Sequence, residues 1–292
     1  MIFGPRMPVR RDEWEWLLAG FKWLEQEFGQ DDVAPSPLIL PTPDFFPPVS
    51  DDPDQAVADI LDQVKAHCDM ADWPTMLVIG EQNRPTQVGK AIHLVHNVQA
   101  PLGHFRLLSD ADGQHIGEIA YNPEQRHDPV GLIATLAHEL SHYLMAYAKT
   151  VMPGGEEMME HSTDLCSVYL GFGVFLANNA FNFSASQGVG YAEWRTSAAG
   201  YLSERSLLTA TAIREALYGR DPMDAAPYLK PSLAKDLKSI SRYVLQSDLA
   251  AEIAAINLQD YGVIAYPLAA SEEETAATNS SDASVNFDMD KQ

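Results

Sequence analysis

The apolar and polar positions of the chain predict one helix that carries almost no charge. Its apolar stripe repeats at helical spacing and consists of Leu132, Ile133, Leu136, Leu140 and Leu144. Asp128 followed by Pro129 marks the start, because aspartate caps the first backbone amides and proline suits the first helical position. Lys149, with a Pro-Gly-Gly sequence shortly after it, marks the end. We therefore predict a helix over residues 128–149.

The face of this helix opposite the stripe lacks the lysine, glutamate and glutamine of a solvated surface. Glu139 is the only formal charge between residues 130 and 148. His138 and His142, four residues apart, fall together on this face. Burying such groups without partners is costly. We predict that the helix is enclosed on all sides and that a metal ion is the partner of its ionisable groups.

Upstream of this helix the chain alternates between helical, proline-rich and strand patterns. Residues 11–28 predict an amphipathic helix, and residues 31–50 predict a proline-rich connector. Residues 51–69 predict a second helix. Residues 75–80 are apolar and β-branched enough to form a buried strand.

A β-hairpin is predicted directly before the charge-poor helix. Residues 105–108 and His115–Tyr121 have the composition of strands, and the Asp- and Gly-containing residues 109–113 join them as a turn. The turn is similar to the start of a calcium loop, but the closing glutamate of that motif is missing at the right distance. We predict that His115–Tyr121 is an edge strand beside the helix.

Downstream of the charge-poor helix the pattern is mainly helical. Residues 202–217 and 232–247 have helical periodicity, and residues 181–190 predict a loop rich in Ser, Asn and Gly. Residues 269–292 are polar and acidic with a single aromatic residue, which predicts a disordered tail. The chain is predicted to form a single α+β domain over residues 1–268.

The charge, the cysteine positions and the hydropathy of the chain limit the partners that it can have. The chain has 292 residues and a formal net charge of −22, which argues against binding the nucleic-acid backbone. Cys68 and Cys166 are far apart and are predicted to be buried thiols rather than a disulfide or a metal pair. No export signal and no bilayer-spanning stretch is visible, so we predict a cytoplasmic protein with no membrane partner.

Residues 138–142 have the sequence H-E-L-S-H, an H-E-x-x-H motif whose spacing has a chemical reason. Two imidazoles one helical turn apart can bind the same Zn²⁺ ion. A glutamate next to the first histidine lies beside the metal, where it can take a proton from an activated water. We predict His138 and His142 as zinc ligands and Glu139 as the general base.

A second predicted helix supplies the third ligand that a catalytic zinc requires. Glu160 and Asp164 share one helix face, and Glu160 follows His142 after 17 intervening residues. A spacer of 17 residues is long enough for the first helix to end, for the chain to turn and for a second helix to come back beside the first. We predict Glu160 as the third ligand and Asp164 as the acceptor that fixes the tautomer of a ligating histidine. His161 is the alternative third ligand.

The combination of H-E-x-x-H with a later E-x-x-x-D resembles the gluzincin clan of zinc metallopeptidases, the thermolysin-like and aminopeptidase-like enzymes. Residues 163–178 also resemble a group of uncharacterised bacterial proteins with the same metal signature. The resemblance covers about residues 114–205, and its spacer of 17 residues is slightly shorter than the family norm. It implies a zincin-like fold, a bound zinc ion and an edge strand that pairs with an extended peptide or protein substrate.

The predicted function is hydrolysis of peptide bonds by a metal-activated water. Two alternatives stay open, namely a zincin-like regulatory protein that binds without hydrolysis and a zinc hydrolase of a non-peptide amide. Related enzymes also use a Tyr, His or Arg side chain to stabilise the oxyanion. The sequence does not choose among the downstream candidates Tyr169, Tyr191, Arg195 and Tyr201.

Overall fold

The computed structural model of the chain describes residues 5–29, 35–80, 103–109, 113–186 and 201–266, with residues 181–186 described by their backbone. Within these residues the chain combines helices with a small mixed sheet, which confirms the predicted α+β class. The α-helices are α1 (Arg11–Phe28), α2 (Pro53–His67), α3 (Pro129–Met145), α4 (Met159–Tyr169), α5 (Gly173–Ser186), α6 (Glu204–Leu217), α7 (Pro231–Val244) and α8 (Leu249–Ala255). The strands are β1 (Thr75–Ile79), β2 (Gly103–Ser109) and β3 (His115–Tyr121).

Two sequence predictions concern the C-terminal tail and membrane-spanning segments. The predicted acidic tail at 269–292 lies outside the described residues. Among the described helices, none has the length and apolar character needed to cross a membrane.

The charge-poor helix is α3, and the structure confirms its start and its burial. The side chain of Asp128 caps the helix by accepting a hydrogen bond from the Gly131 backbone amide at 3.0 Å. Residues 131–141 are all buried. The helix is therefore enclosed over these residues, as predicted, with His138 and Glu139 buried and the His142 side chain 17% exposed.

The same helix ends one turn earlier than predicted, at Met145 rather than Lys149. The backbone amides of Tyr147 and Ala148 bond to carbonyls three residues back instead of continuing the helical ladder. The Lys149 amide donates to Glu27 Oε2 of α1 at 2.7 Å. This contact joins the chain after α3 to a helix that is distant in sequence, so no local sequence signal encodes it.

The strands have the order β1-β3-β2, with β1 parallel and β2 antiparallel to β3. The predicted hairpin is confirmed. The prediction that His115–Tyr121 is an edge strand is wrong, because β3 is central and β2 is the edge strand beside α3 among the described strands. β1 was predicted to be buried but is the other edge, with Met76 41% and Ile79 55% exposed. Strand order depends on the crossover from β1 to β3, which the period of apolar residues does not encode.

The predicted N-terminal helix is confirmed as α1, and its apolar face packs against α4. Gly20 allows this close approach, since a Cβ atom there would lie 2.2 Å from Leu165 Cδ2 and displace that side chain. The described part of the proline-rich connector is held to the body by Phe46, whose ring centroid lies 5.4 Å from that of Phe175 in α5.

The C-terminal part of the described chain is mainly helical, as predicted. The predicted loop at 181–190 is wrong over its first part, because α5 continues to Ser186 and the remaining residues lie outside the described ones. Serine and asparagine do not end a helix by themselves, and neither glycine nor proline occurs between residues 174 and 186. Cys68 and Cys166 are free and buried, as predicted.

Candidate metal centre

Helices α3 and α4 pack against each other and bring three of the predicted site residues together. His138 Nε2 lies 3.1 Å and His142 Nε2 lies 3.5 Å from Glu160 Oε2. The three ligand-type atoms all lie within 4.8 Å of one another. His138 is buried, whereas the Glu160 side chain is 32% exposed, so the cluster opens to solvent on that side. This His-His-Glu group could hold a metal ion.

The donor set and its spacing fit zinc. Two imidazole nitrogens and one carboxylate oxygen are a common ligand set of catalytic zinc, with bonds of about 2.0–2.2 Å in a tetrahedral arrangement. Such bonds separate the ligand atoms by about 3.4 Å. The distances of 3.1 Å and 3.5 Å between Glu160 Oε2 and the two Nε2 atoms match that separation. Three protein ligands leave a fourth position free, as in catalytic sites.

Both histidines have a hydrogen-bond acceptor at the ring nitrogen that faces away from the cluster. Asp164 Oδ1 lies 2.9 Å from His138 Nδ1. Thr163 Oγ1 lies 3.2 Å from His142 Nδ1 and donates its own proton to the Met159 carbonyl at 2.9 Å. Because that proton is used, the Thr163 hydroxyl acts as the acceptor for His142 Nδ1–H. Each imidazole thus keeps a proton on Nδ1 and has Nε2 for a metal.

Two groups of the cluster, His138 and Glu160, have shifted pKa values. Burial alone would lower the pKa of His138, but hydrogen bonds to Asp164 and Glu160 outweigh it and raise the pKa well above the ordinary value. Burial would raise the pKa of Glu160, but hydrogen bonds to His138 and His142 hold that pKa well below its usual range. Without metal, His138 is therefore a buried imidazolium between two carboxylates. A metal ion at this group would have to displace the Nε2 proton of His138, so we expect its affinity to rise with pH until His138 is neutral.

Glu139 lies beside the three ligand-type residues rather than among them. Its residue is 5% exposed, and burial raises the pKa of its carboxyl while the nearby His138 and His142 lower it. Gly103 at the start of β2 comes very close to it, since a Cβ atom at Gly103 would lie 2.4 Å from Glu139 Oε1. The same atom would lie 2.5 Å from Thr135 Cγ2. The edge strand of the sheet therefore runs directly against the predicted base.

Tyr201 is the described oxyanion candidate that lies at the cluster. Its ring centroid is 5.3 Å from that of His138. The next residue, Leu202, donates its backbone amide to Asp164 Oδ2 at 2.8 Å and so ties this segment to the cluster. Burial raises the pKa of Tyr201, and the neighbouring carboxylates raise it further, so the phenol keeps its proton.

The other candidates are separated from the cluster or fall outside the described chain. Tyr169 donates to a carboxylate of α1 at 3.1 Å. Tyr191 and Arg195 lie outside the described residues. The alternative ligand His161 packs edge-on against Trp16 of α1, with ring centroids 6.2 Å apart, and does not belong to the His-His-Glu group.

Comparison with protein-family models, with curated proteins and with solved structures finds no match to this chain. The functional assignment therefore rests on the geometry and the donor chemistry of the cluster. Within the described part of the chain, Thr163 and Gly103 belong to this site but are not predicted from the sequence. A signal for Thr163 was present, because it lies three residues after Glu160 and so near the same helix face.

Replacing Asp164 by alanine is expected to weaken zinc binding by roughly 10- to 100-fold, because the acceptor that orients His138 is lost. Competition with a chelator measures the affinity, and a thermal melt of the metal-free protein measures the stability. Asp128→Ala is the matched control, since it removes a helix-capping carboxylate of α3 and should lower stability alone. An unchanged zinc affinity with a lower melting temperature would assign Asp164 a purely structural role.

Thr163→Val is expected to weaken zinc binding by about 10-fold, because a methyl group replaces the acceptor for His142 Nδ1–H at nearly constant volume. Thr163→Ser keeps the hydroxyl and should bind zinc like the wild type. The same chelator competition measures both variants. Equal affinities for the valine and serine variants would show that Thr163 does not position His142.

Proposed function

We propose that the chain is a zinc-dependent metallopeptidase of the gluzincin type. The observation that carries this proposal is the convergence of His138, His142 and Glu160, with Glu139 buried beside them. Such a ligand set is typical of catalytic zinc sites and would leave one position free. The resemblance to gluzincins in the H-E-x-x-H and E-x-x-x-D motifs supports the same assignment, as does the placement of the helix beside an edge strand of a small mixed sheet.

His138, His142 and Glu160 would hold the zinc ion, which would supply polarisation of a substrate carbonyl and a lower pKa of a water molecule. Glu139 accepts the proton of the attacking water, for which its position beside the ligands suits it. Because burial raises the pKa of its carboxyl, Glu139 can hold that proton and pass it to the leaving amine. Tyr201, which keeps its proton and lies next to His138, donates a hydrogen bond to the developing oxyanion.

An extended peptide is the substrate that this arrangement suits best. Among the described strands, β2 pairs with β3 alone, so one side of β2 has no strand partner there. An extended chain can pair with such an edge as an added strand. Gly103 of β2 lies against Glu139, so pairing along this strand brings a peptide bond to the base. A small non-peptide amide would make no use of the edge.

The test combines metal analysis with a search for cleavage. Protein that has been supplemented with zinc and dialysed is expected to retain about one zinc per chain, and it is incubated with diverse peptide pools whose products are read by mass spectrometry. Cleavage should stop when a chelator removes the metal and should return when zinc is restored. Zinc content below about a tenth of an equivalent would contradict the metal centre itself.

Two further outcomes would replace the peptidase assignment. Stoichiometric zinc without cleavage of any peptide pool would favour a regulatory protein that binds without hydrolysis. Turnover of non-peptide amides without peptide cleavage would favour the amide hydrolase. The cytoplasmic location stays a prediction from the sequence.

A further inference from the structure

A second concave site lies at the C-terminal end of α3, on the β1 side of the sheet. It has a volume of about 390 Å³, within the range of about 300–1,000 Å³ that is typical of small-molecule pockets. Its walls include four aromatic rings and two carboxylates, from Phe28, Trp73, Tyr143, Tyr147, Glu27 and Asp72. We call these six residues the aromatic pocket. None of them belongs to the candidate metal centre.

Three rings of the aromatic pocket pack edge to face and line adjoining parts of it. The Trp73 centroid lies 4.9 Å from that of Tyr143 at an interplanar angle of 85°. It lies 5.1 Å from that of Tyr147 at an angle of 74°. Tyr143 is buried and supports the other two rings, so the ring surface that a guest can reach is that of the half-buried Trp73 and of the 46% exposed Tyr147. A ring face attracts a cation within about 6 Å of its centroid. This geometry suits a compact cation with an apolar surface.

Two residues of the aromatic pocket are fixed in place by contacts outside it. The hydroxyl of the buried Tyr143 donates to the Pro74 carbonyl at 3.1 Å. The carboxylate of Glu27 accepts from the Lys149 backbone amide at 2.7 Å and from the Thr150 hydroxyl. A carboxylate has about four lone-pair sites, so Glu27 keeps acceptor capacity for a guest. These contacts hold Tyr143 and Glu27 in place before a ligand binds.

The charge of the aromatic pocket is negative and is not neutralised by a described side chain. Asp72 is exposed, and within the described residues no ion pair joins a lysine or arginine side chain to Asp72 or Glu27. The adjacent end of α3 adds the partial negative charge of a helix C-terminus. Tyr147 is 46% exposed, so part of its ring surface is accessible next to these charges. Apolar walls with excess negative charge match an organic ammonium ion.

We propose that the aromatic pocket binds a small alkylated ammonium ion, with the rings of Trp73 and Tyr147 against the methyl groups and with Asp72 and Glu27 supplying the opposite charge. The same rings would accept a neutral group of equal shape, but with lower affinity, because the electrostatic attraction to ring faces and carboxylates would be absent. The test must therefore compare two probes that have the same shape but differ in charge.

The probe is choline, and its neutral comparison is 3,3-dimethylbutan-1-ol, in which a carbon atom replaces the quaternary nitrogen. Saturation-transfer NMR titrations of the full chain should show choline binding at least 10-fold more tightly than the alcohol. Tyr147→Ala and Asp72→Asn should each weaken choline binding by about threefold or more, as expected for one exposed cation–π contact or one opposing charge. Tyr147→Phe keeps the ring and should bind choline like the wild type.

Asp236→Asn is the matched control for overall charge. It removes an exposed carboxylate from α7, away from the aromatic pocket, and should leave choline affinity unchanged. Equal binding of choline and the neutral alcohol would overturn the proposal, as would the absence of choline binding. An equal loss in the Asp72→Asn and Asp236→Asn variants would also overturn it, because the attraction would then belong to the net charge of −22 and not to this site.

Discussion

Replacing Glu139 by glutamine is expected to abolish peptide hydrolysis while zinc stays bound. Glutamine has nearly the same shape, so it fits the narrow space between α3 and Gly103 of β2. Its amide cannot accept a proton from the attacking water. Loss of a general base lowers the rate by roughly 10²- to 10⁴-fold. The rate is measured on the best substrate found in the peptide pools, and the zinc content is measured on the same samples.

Glu157→Gln is the matched control for this substitution. Glu157 is exposed in the 3-10 helix Glu156–Met158, and its change removes the same charge without touching the base. A Glu139→Gln rate within roughly threefold of the wild type would place the general base elsewhere. Loss of zinc together with activity would instead make Glu139 a metal-holding residue. Activity that disappears from an identically purified variant also excludes a contaminating peptidase.

The cluster could be predicted from the sequence because its geometry is mostly local. One helical turn separates His138 from His142, and another separates Glu160 from Asp164, so helix geometry alone aligns each pair. The lack of charge around Glu139 indicated burial, which the structure confirms. What joins the two pairs is the packing of α3 on α4, and the spacer length made that packing possible without specifying it.

The strand order could not be predicted in the same way. An apolar alternation tells which face of a strand is buried, but a central strand and an edge strand can have the same alternation. β3 has Ile119 and Tyr121 buried towards the core, and this pattern is equally compatible with either position. The parallel pairing of β1 with β3 makes β3 central and moves the candidate peptide-binding edge to β2.

The residues missed at the site depend on neighbours that are distant in sequence. Gly103 matters because Glu139 lies against its backbone. A glycine has no side chain from whose chemistry this contact could be predicted. Thr163 is different, because its hydroxyl could be placed on the right helix face. Its role follows only from the direction of its own proton, which is donated to the Met159 carbonyl.

Replacing Glu160 by alanine is expected to remove most of the zinc affinity, because it deletes the anionic ligand and leaves two neutral imidazoles. The loss measured by chelator competition should exceed the roughly 10- to 100-fold that an outer hydrogen-bond partner contributes. The substitution also removes one of the two carboxylates that raise the pKa of His138. Protons then compete less with zinc for this ring, so the affinity that remains should depend less steeply on pH.

Glu157→Ala is the control, since it removes an exposed carboxylate of the adjoining 3-10 helix and should keep the wild-type affinity. A melt of metal-free Glu160→Ala establishes that the chain is folded. Zinc affinity within roughly threefold of the wild type would show that Glu160 is not a ligand. The double variant Glu160→Ala/His161→Ala would then decide whether His161 replaces it. We expect no further loss in the double variant, because the His161 ring packs against Trp16, away from the cluster.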